Sequence, residues 1–428
     1  MRLLLSAFAC EPRAGSEPGN GWTWAETLSR THEVTVITDG AHRAPIEAEL
    51  AAVPNDRLKV HYIGEGPAGY LGFDIYPYYF KWQEQAADLA ARLHVQQPFQ
   101  MVHHVTYGMH RAPSYMFRLG IPFVWGPIGG AEDVNPLFYT PGQITPKESA
   151  KELVRWAWNQ WCRVDPRLKA TADGASVIGV TTPDTARSLP CRDRRKAVIL
   201  PSSVLNPADL REIARHRAQG GPATGLSLAF TGRLLGWKGP VLALRAFARY
   251  AATHPTANLH YYGEGPLEGY LKAEAAKLGL GGRVVFHGKV PRAEMLGAYA
   301  RHNAFFFPSR HDSSGCATLE AQAAGLPVVC LDAGGPGMQV SPQAGVKVKP
   351  TTPARVERDL AAALARLTAD PAFWQRCSDA ARAHALNPAT TPDIFEMIRR
   401  LYGPLNLPGL VPPAPVNREA GGELATTL

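Results

Sequence analysis

The sequence predicts an α/β protein of two Rossmann-like domains in series, their parallel sheets facing across a cleft. Three observations carry this expectation. Short apolar runs rich in β-branched and aromatic residues alternate with longer helical patterns along the chain, the mark of βαβ units. The pattern restarts after Pro201-Ser202-Ser203. And 428 residues exceed one ordinary hydrophobic core, so two or three domains are expected.

In the first half the predicted strands are 2–8, 33–38, 58–63, 101–105, 122–125, 176–181 and 197–200, separated by helices such as 24–30 and 79–94. In the second half they are 226–231, 258–262, 283–287, 304–308, 328–331 and 345–348, with helices over 241–254, 268–278, 292–301 and 317–324. The expected division is 1–200 for the first domain and 201–386 for the second. The helical segment 372–402 breaks at Asn387-Pro388, and its last part, 387–403, is expected to cross back to the first domain. The tail 404–428 is rich in Pro and Gly and reads as disordered. Ligands of open parallel sheets bind beyond the carboxyl ends of the strands, so functional residues belong in the strand-to-helix loops facing the cleft.

Composition limits the function classes. Hydrophobic residues at 45% and charged residues at 19% describe a folded globular chain. A net charge of +8 suits an anionic ligand or surface (nucleotide, nucleic acid or acidic lipid) and equally suits plain solubility. No two of the six cysteines form a CxxC pair, which disfavours a zinc or thioredoxin-like site and suits a reducing cytosol. The opening Met1 to Cys10 resembles a signal peptide, but its apolar run is short and is read as a buried first strand. No run of about 18 apolar residues occurs. The expected location is cytoplasmic, with peripheral contact at the inner membrane face as an option.

The strongest chemical signal is the stretch Phe307 to Val329, which reads strand, small-residue loop, helix, glycine stop, strand. Asp312 opens the loop, Ser313, Ser314, Gly315 and Cys316 form a turn whose N–H groups and helix N-terminus make an anion site, and Glu320 lies in the first turns of the helix. Carboxylates beside an anion site make sense for a ligand that also carries sugar or ribose hydroxyls. A capping role for Asp312 and a solvated Glu320 are the plainer alternatives. Upstream, Thr231-Gly232-Arg233 and Lys238-Gly239 place two cations beside a glycine loop, a pairing suited to a diphosphate or to an ordinary surface loop. Tyr262-Gly263-Glu264, His287-Gly288-Lys289-Val290 and Leu331 to Gly337 also end strands; backbone near Gly288 and Val290 is placed to read a base edge.

Together these elements resemble, over about residues 200–350, the nucleotide-binding domain of the family 4 glycosyltransferases, which are retaining and have the GT-B fold. Seven residues separate Asp312 from Glu320, as in the family's acidic pair. The resemblance implies that Glu320 holds the ribose hydroxyls, that Asp312 contacts the donor sugar, that Arg233 and Lys238 hold the diphosphate, and that Gly315 lies under the phosphates. Two departures stand out: the first acid is usually Glu, and the family often has Glu after the double glycine, where this chain has Gly337-Met338-Gln339.

In the first half, Gly15 to Trp22 forms a glycine-rich loop without the GxGxxG spacing, similar to the first loop of a subgroup of the same family. Gly19 is expected at the donor and Glu17 on the acceptor side. His103 and His104 end a strand, where the family often has His; adjacent strand residues face opposite ways, and His104 is assigned to the cleft as a catalytic candidate, with a satisfied core histidine as the plainer alternative. His103, Thr106, Tyr107 and Gly126 complete the acceptor side. Two aromatic stretches, 70–82 and 151–169, remain; the second mixes Trp156, Trp158 and Trp161 with bases and is read as a core helix in preference to a membrane-surface one.

The implied reaction is transfer of a sugar from a UDP- or GDP-type donor to a glycan, lipid-linked or small-molecule acceptor. It is expected to need no metal or other cofactor, because cationic side chains stabilise the leaving phosphate. Rival readings are an epimerase, hydrolase or phosphorylase on the same fold, and a basic nucleotide- or RNA-binding protein; nucleic acid is not the expected partner, since concentrated basic runs with interleaved aromatics are lacking apart from 151–169.

Overall fold

A computed structural model describes residues 1–14, 16–66, 75–134, 136–139, 144–200, 205, 207–215, 225–313, 315–387 and 390–413. The first half carries seven strands: β1 (Arg2–Ala7), β2 (Glu33–Asp39), β3 (Leu58–Ile63), β4 (Met101–Thr106), β5 (Phe123–Ile128), β6 (Val177–Val180) and β7 (Ala197–Ile199). They form one parallel sheet in the order β3-β2-β1-β4-β5-β6-β7, with Leu3 paired to Val34 on one side and Met101 on the other. Helices cover both faces, so strands such as β5 and β6 are buried throughout and read as continuous apolar runs instead of alternating ones.

The second half repeats the plan with β8 (Ser227–Thr231), β9 (Asn258–Tyr262), β10 (Val284–Gly288), β11 (Ala304–Phe307), β12 (Val328–Leu331) and β13 (Gly345–Val348). Their order is β10-β9-β8-β11-β12-β13, again all parallel. In each sheet the chain starts at the centre, winds outward, then returns past its first strand. The switch points therefore fall between β1 and β4 and between β8 and β11, where loops splay apart and leave a crevice.

Three expectations are corrected. The first helix begins at Ser16, not near Trp24, and takes Gly19 and Gly21 into its first turns. Side chains there have no room: a Cβ would stand 2.0 Å from the Ala14 carbonyl oxygen at Gly19 and 2.2 Å from that of Ala9 at Gly21. Part of the tail expected to be disordered is packed: Leu410 is fully buried and its carbonyl lies 2.9 Å from His32 Nε2. It joins the helix Ile394–Tyr402, whose Met397, Ile398, Leu401 and Tyr402 share a core with Leu3, Leu5 and Trp24 of the first domain. Residues 414–428 lie outside the described residues, as do 201–204 at the expected boundary and Tyr70 and Phe73 of the first aromatic stretch.

The third correction concerns the helix Pro146–Cys162. Its polar residues Glu148, Glu152, Arg155, Asn159, with Cys162, are buried, while Trp156 and Trp161 are 41% and 57% exposed. Of the three tryptophans, Trp158 is the one that packs inward, against Tyr76 at 4.5 Å between ring centroids. Among the described residues no helix is long and apolar enough to cross a membrane.

Candidate active site

The loops after β8, β9 and β10 are laced together by their backbones. The Gly232 N–H donates to the Tyr262 carbonyl (2.9 Å), Gly263 to Gly288 (2.8 Å), and the Lys289 N–H to Glu264 Oε1 (3.2 Å). Gly263 has φ +135°, and a Cβ on it would sit 2.2 Å from the Gly232 carbonyl oxygen, so only glycine allows this approach. The loops enclose a cavity of about 610 Å³ whose lining includes Thr231, Gly232, Arg233, Gly263, Lys289 and Val290. Five of the expected donor residues thus share one hollow. The Gly288 carbonyl and Lys289 N–H are spent on the lacing, which leaves Val290 for any base-edge contact.

Lys238 ends a 3₁₀ turn, and Gly239, at φ +76°, leads into the helix Pro240–Ala251. The ammonium pairs with Asp312 Oδ2 and lies 4.4 Å from the centroid of Trp237 and 5.4 Å from that of Phe307. Asp312 Oδ1 accepts from the Gly315 N–H at 3.3 Å, where the helix Cys316–Ala323 begins. Asp312 therefore ties the cation to the turn at Gly315, part of the capping role weighed against sugar contact. Gly315, φ +62°, is pressed on Gln339: a Cβ would fall 2.4 Å from its Oε1. Ser314 lies outside the described residues.

Glu320 is 5% exposed. Tyr299 donates its hydroxyl to Oε2 (3.0 Å) and Arg292 reaches Oε1 (3.0 Å) while also holding Asp209 Oδ2 at 2.6 Å. Burial pushes the Glu320 carboxyl up and Arg292 pulls it down, with a net rise. Glu320 is not the solvated residue of the plainer reading. Neither it nor Lys238 lines the cavity; Glu320 is reached from the helix Arg292–Ala298, whose Met295 does.

A second cavity, of about 490 Å³, lies between the domains. Arg233, Trp237, His311 and Ser313 face Tyr76, Arg111, Glu152 and Arg155 across it, so Arg233 borders both hollows. The domains touch here: His311 Nε2 is 3.0 Å from Glu152 Oε2, and Trp237 stacks on the His311 ring at 5.0 Å. Arg155 holds Glu152 (2.8 Å) and Asp133 (2.8 Å). Burial alone would raise the Glu152 carboxyl, but His311 and Arg155 outweigh it and bring it down to about 2. Glu152, Arg155, Trp237, Arg292 and Asp209 were not singled out from sequence as site residues. For the first two a signal existed: 148, 152, 155, 159 and 162 recur at helical spacing as one mostly polar stripe.

The first-domain candidates fall out differently. His103 and His104 do point to opposite faces, yet both are buried and line neither cavity. His103 bonds Tyr402 Oη (2.8 Å) and the Gly126 carbonyl (2.5 Å), and burial lowers it to about 3. His104 meets Tyr79 Oη at 3.2 Å, and burial lowers it to about 4. The Thr106 hydroxyl bridges the Ala9 backbone (2.9 and 3.1 Å), a tie within the fold like the one between His103 and Gly126. Glu17 and Tyr107 do meet at the switch point: the Tyr107 N–H, on a residue with φ +56°, donates to Glu17 Oε2 at 2.9 Å, and burial raises the Glu17 carboxyl. Among the described residues no group of three His, Cys, Asp or Glu is arranged to hold a metal ion.

Two parallel-sheet α/β domains closing on a cleft at their switch points define a GT-B fold. Residues 213–384 match the family described as glycosyl transferases group 1. The chain is 36% identical over 170 residues to the glycogen synthase of Mycobacterium tuberculosis, covering 40% of this chain and 39% of that one. It is 34% identical over 196 residues to the D-inositol 3-phosphate glycosyltransferase of Acidothermus cellulolyticus, covering 43% and 42%. The match thus spans about two-fifths of the length of these curated relatives. Sucrose-phosphate synthase from Thermosynechococcus elongatus superposes with a TM-score of 0.60 at 17% identity, over 94% of this chain and 99% of that one, which speaks to the fold.

Proposed function

We propose that the protein is a retaining family 4 glycosyltransferase that moves a sugar from a UDP- or GDP-type donor to a glycan, lipid-linked or small-molecule acceptor. The observation that carries this reading is the Lys238–Asp312 pair at the second switch point, together with an Arg233 on the same loop after β8 that borders both the strand-end hollow and the interdomain cavity. In this reading the diphosphate takes the place of Asp312 as partner of Lys238, Arg233 clamps it from the other side, and the Gly315 turn offers N–H groups. The ribose joins Glu320. As the bond from the anomeric carbon to the leaving phosphate breaks, charge builds on that phosphate where these donors are already fixed. The leaving phosphate oxygen takes the acceptor proton, and no enzyme nucleophile is used. The site is cytoplasmic and works without a metal or other cofactor.

The test is incubation of the full chain with UDP-, GDP-, ADP- and TDP-sugars, with NMR of the released products. The reading expects free nucleoside diphosphate and, before mutarotation, a sugar or glycoside with the donor's anomeric configuration. An inverted product contradicts retention. A nucleotide-bound epimer, or consumption only with inorganic phosphate, would assign the fold to the epimerase or phosphorylase reading.

A further inference from the structure

The helix Pro146–Cys162 is amphipathic in the reverse of the usual sense. Its polar stripe is buried at the interdomain cavity, and its apolar stripe faces out. Leu153, Val154 and Trp161 are 65%, 56% and 57% exposed, and Val164, just past the helix, is 67% exposed. At about 100° per residue these positions, with Ala150 and Ala157, fall along one face. Contiguous exposed apolar patches on soluble proteins mark interaction surfaces. Charge decides what kind. Lys147, Lys151, Arg163 and Arg167 border the stripe and are exposed, whereas Glu148, Glu152 and Asp165 on the same stretch are buried. A second copy of the chain would set one basic border against another. An anionic bilayer complements both features, with tryptophan and aliphatic side chains in the acyl boundary and bases at the headgroups.

We propose that the outward face of 146–164 docks the protein on anionic membrane surfaces. The docking does not depend on the transferase reading; combined with that reading, it holds the cleft, lined by Glu152 and Arg155 of the same helix, beside a bilayer from which an acceptor is presented.

Flotation of the full chain with phosphatidylcholine vesicles, with and without phosphatidylglycerol, tests this. Binding is expected only with phosphatidylglycerol. Leu153→Ser with Trp161→Ser, which keeps the charge, should lower the vesicle partition coefficient about tenfold or more, and Lys147→Gln or Arg163→Gln about fivefold each. Val95→Ser, at an apolar position 84% exposed on a different helix, should change nothing. The exposed sites make these variants safe for folding, and an unchanged Tm verifies it. Absence of binding to either vesicle overturns the proposal. So does binding by the Leu153/Trp161 variant equal to wild type, which would reduce the effect to net charge. A wild-type dimer in sedimentation that this variant dissociates would assign the face to a second copy.

Discussion

Replacing Lys238 by methionine separates what this residue does for the fold from what it does for the donor. The stem is kept and the charge removed. The Lys238 and Asp312 side chains are 18% and 9% exposed, so the variant strands a nearly buried carboxylate. Breaking a fully buried pair costs about 3–5 kcal/mol. The partial exposure of Lys238 and the Gly315 N–H that Asp312 retains reduce the expectation to about 2–3 kcal/mol. Adding Asp312→Leu removes the stranded charge, so the double variant should regain most of that loss. Nucleotide affinity should behave otherwise. A charge-assisted bond to phosphate is worth about 1.5–3 kcal/mol, or roughly 10- to 150-fold in Kd, and the double variant restores none of it. Denaturant unfolding and calorimetry with the preferred nucleoside diphosphate read the two quantities separately. A variant that loses stability and binds nucleotide like wild type would make Lys238 a purely structural residue, and recovery of both quantities in the double variant would do the same.

Gly263→Ala should cost at least about 1–3 kcal/mol and weaken nucleotide binding, because its Cβ would meet the Gly232 carbonyl in a left-handed conformation; an unchanged Tm contradicts this. Glu320→Gln should weaken nucleoside diphosphate binding about tenfold while sparing inorganic pyrophosphate, and an equal loss of both would count against ribose recognition. Folding should be acid-labile. Burial lowers His103 to about 3 and His104 to about 4, against 6.5 unfolded, so their contribution is complete above pH 6.5 and is lost as pH falls toward 4. At pH 5 each contributes about 2 kcal/mol less than at neutrality, and a flat stability profile from pH 7 to 5 would refute it. Turnover should survive EDTA, since Arg233 and Lys238 supply the positive charge; loss of activity restored by a divalent cation would overturn that.

The strands were legible because parallel sheets covered on both faces demand continuous apolar runs, and β5 and β6 are such runs. The laced loops after β8 and β9 were legible because glycine after a strand marks close backbone approach, as at Gly232 and Gly263. Orientation was not. The periodicity of 146–162 announces an amphipathic helix, but which face meets the protein depends on partners far off in sequence, here His311 and the interdomain cavity. The surroundings of the adjacent histidines were hidden for a related reason: their bonds to Tyr402 and Tyr79, 299 and 25 residues away, are a property of the packed molecule. The first residues of the tail were misjudged by composition: Leu410 is fully buried, and Leu405, Leu407 and Val411 pack against the same core.

In the proposed site a pyrophosphate is held between Arg233 and Lys238 with its ribose at Glu320. Isothermal titration of the full chain with UDP, GDP, ADP and TDP, repeated on Arg233→Ala, reaches that claim without needing the acceptor. One-site binding of at least one of the four by wild type, weakened about tenfold or more in the variant, is the predicted result. Heat traces at the dilution baseline for all four, or equal affinities in both proteins, would contradict it.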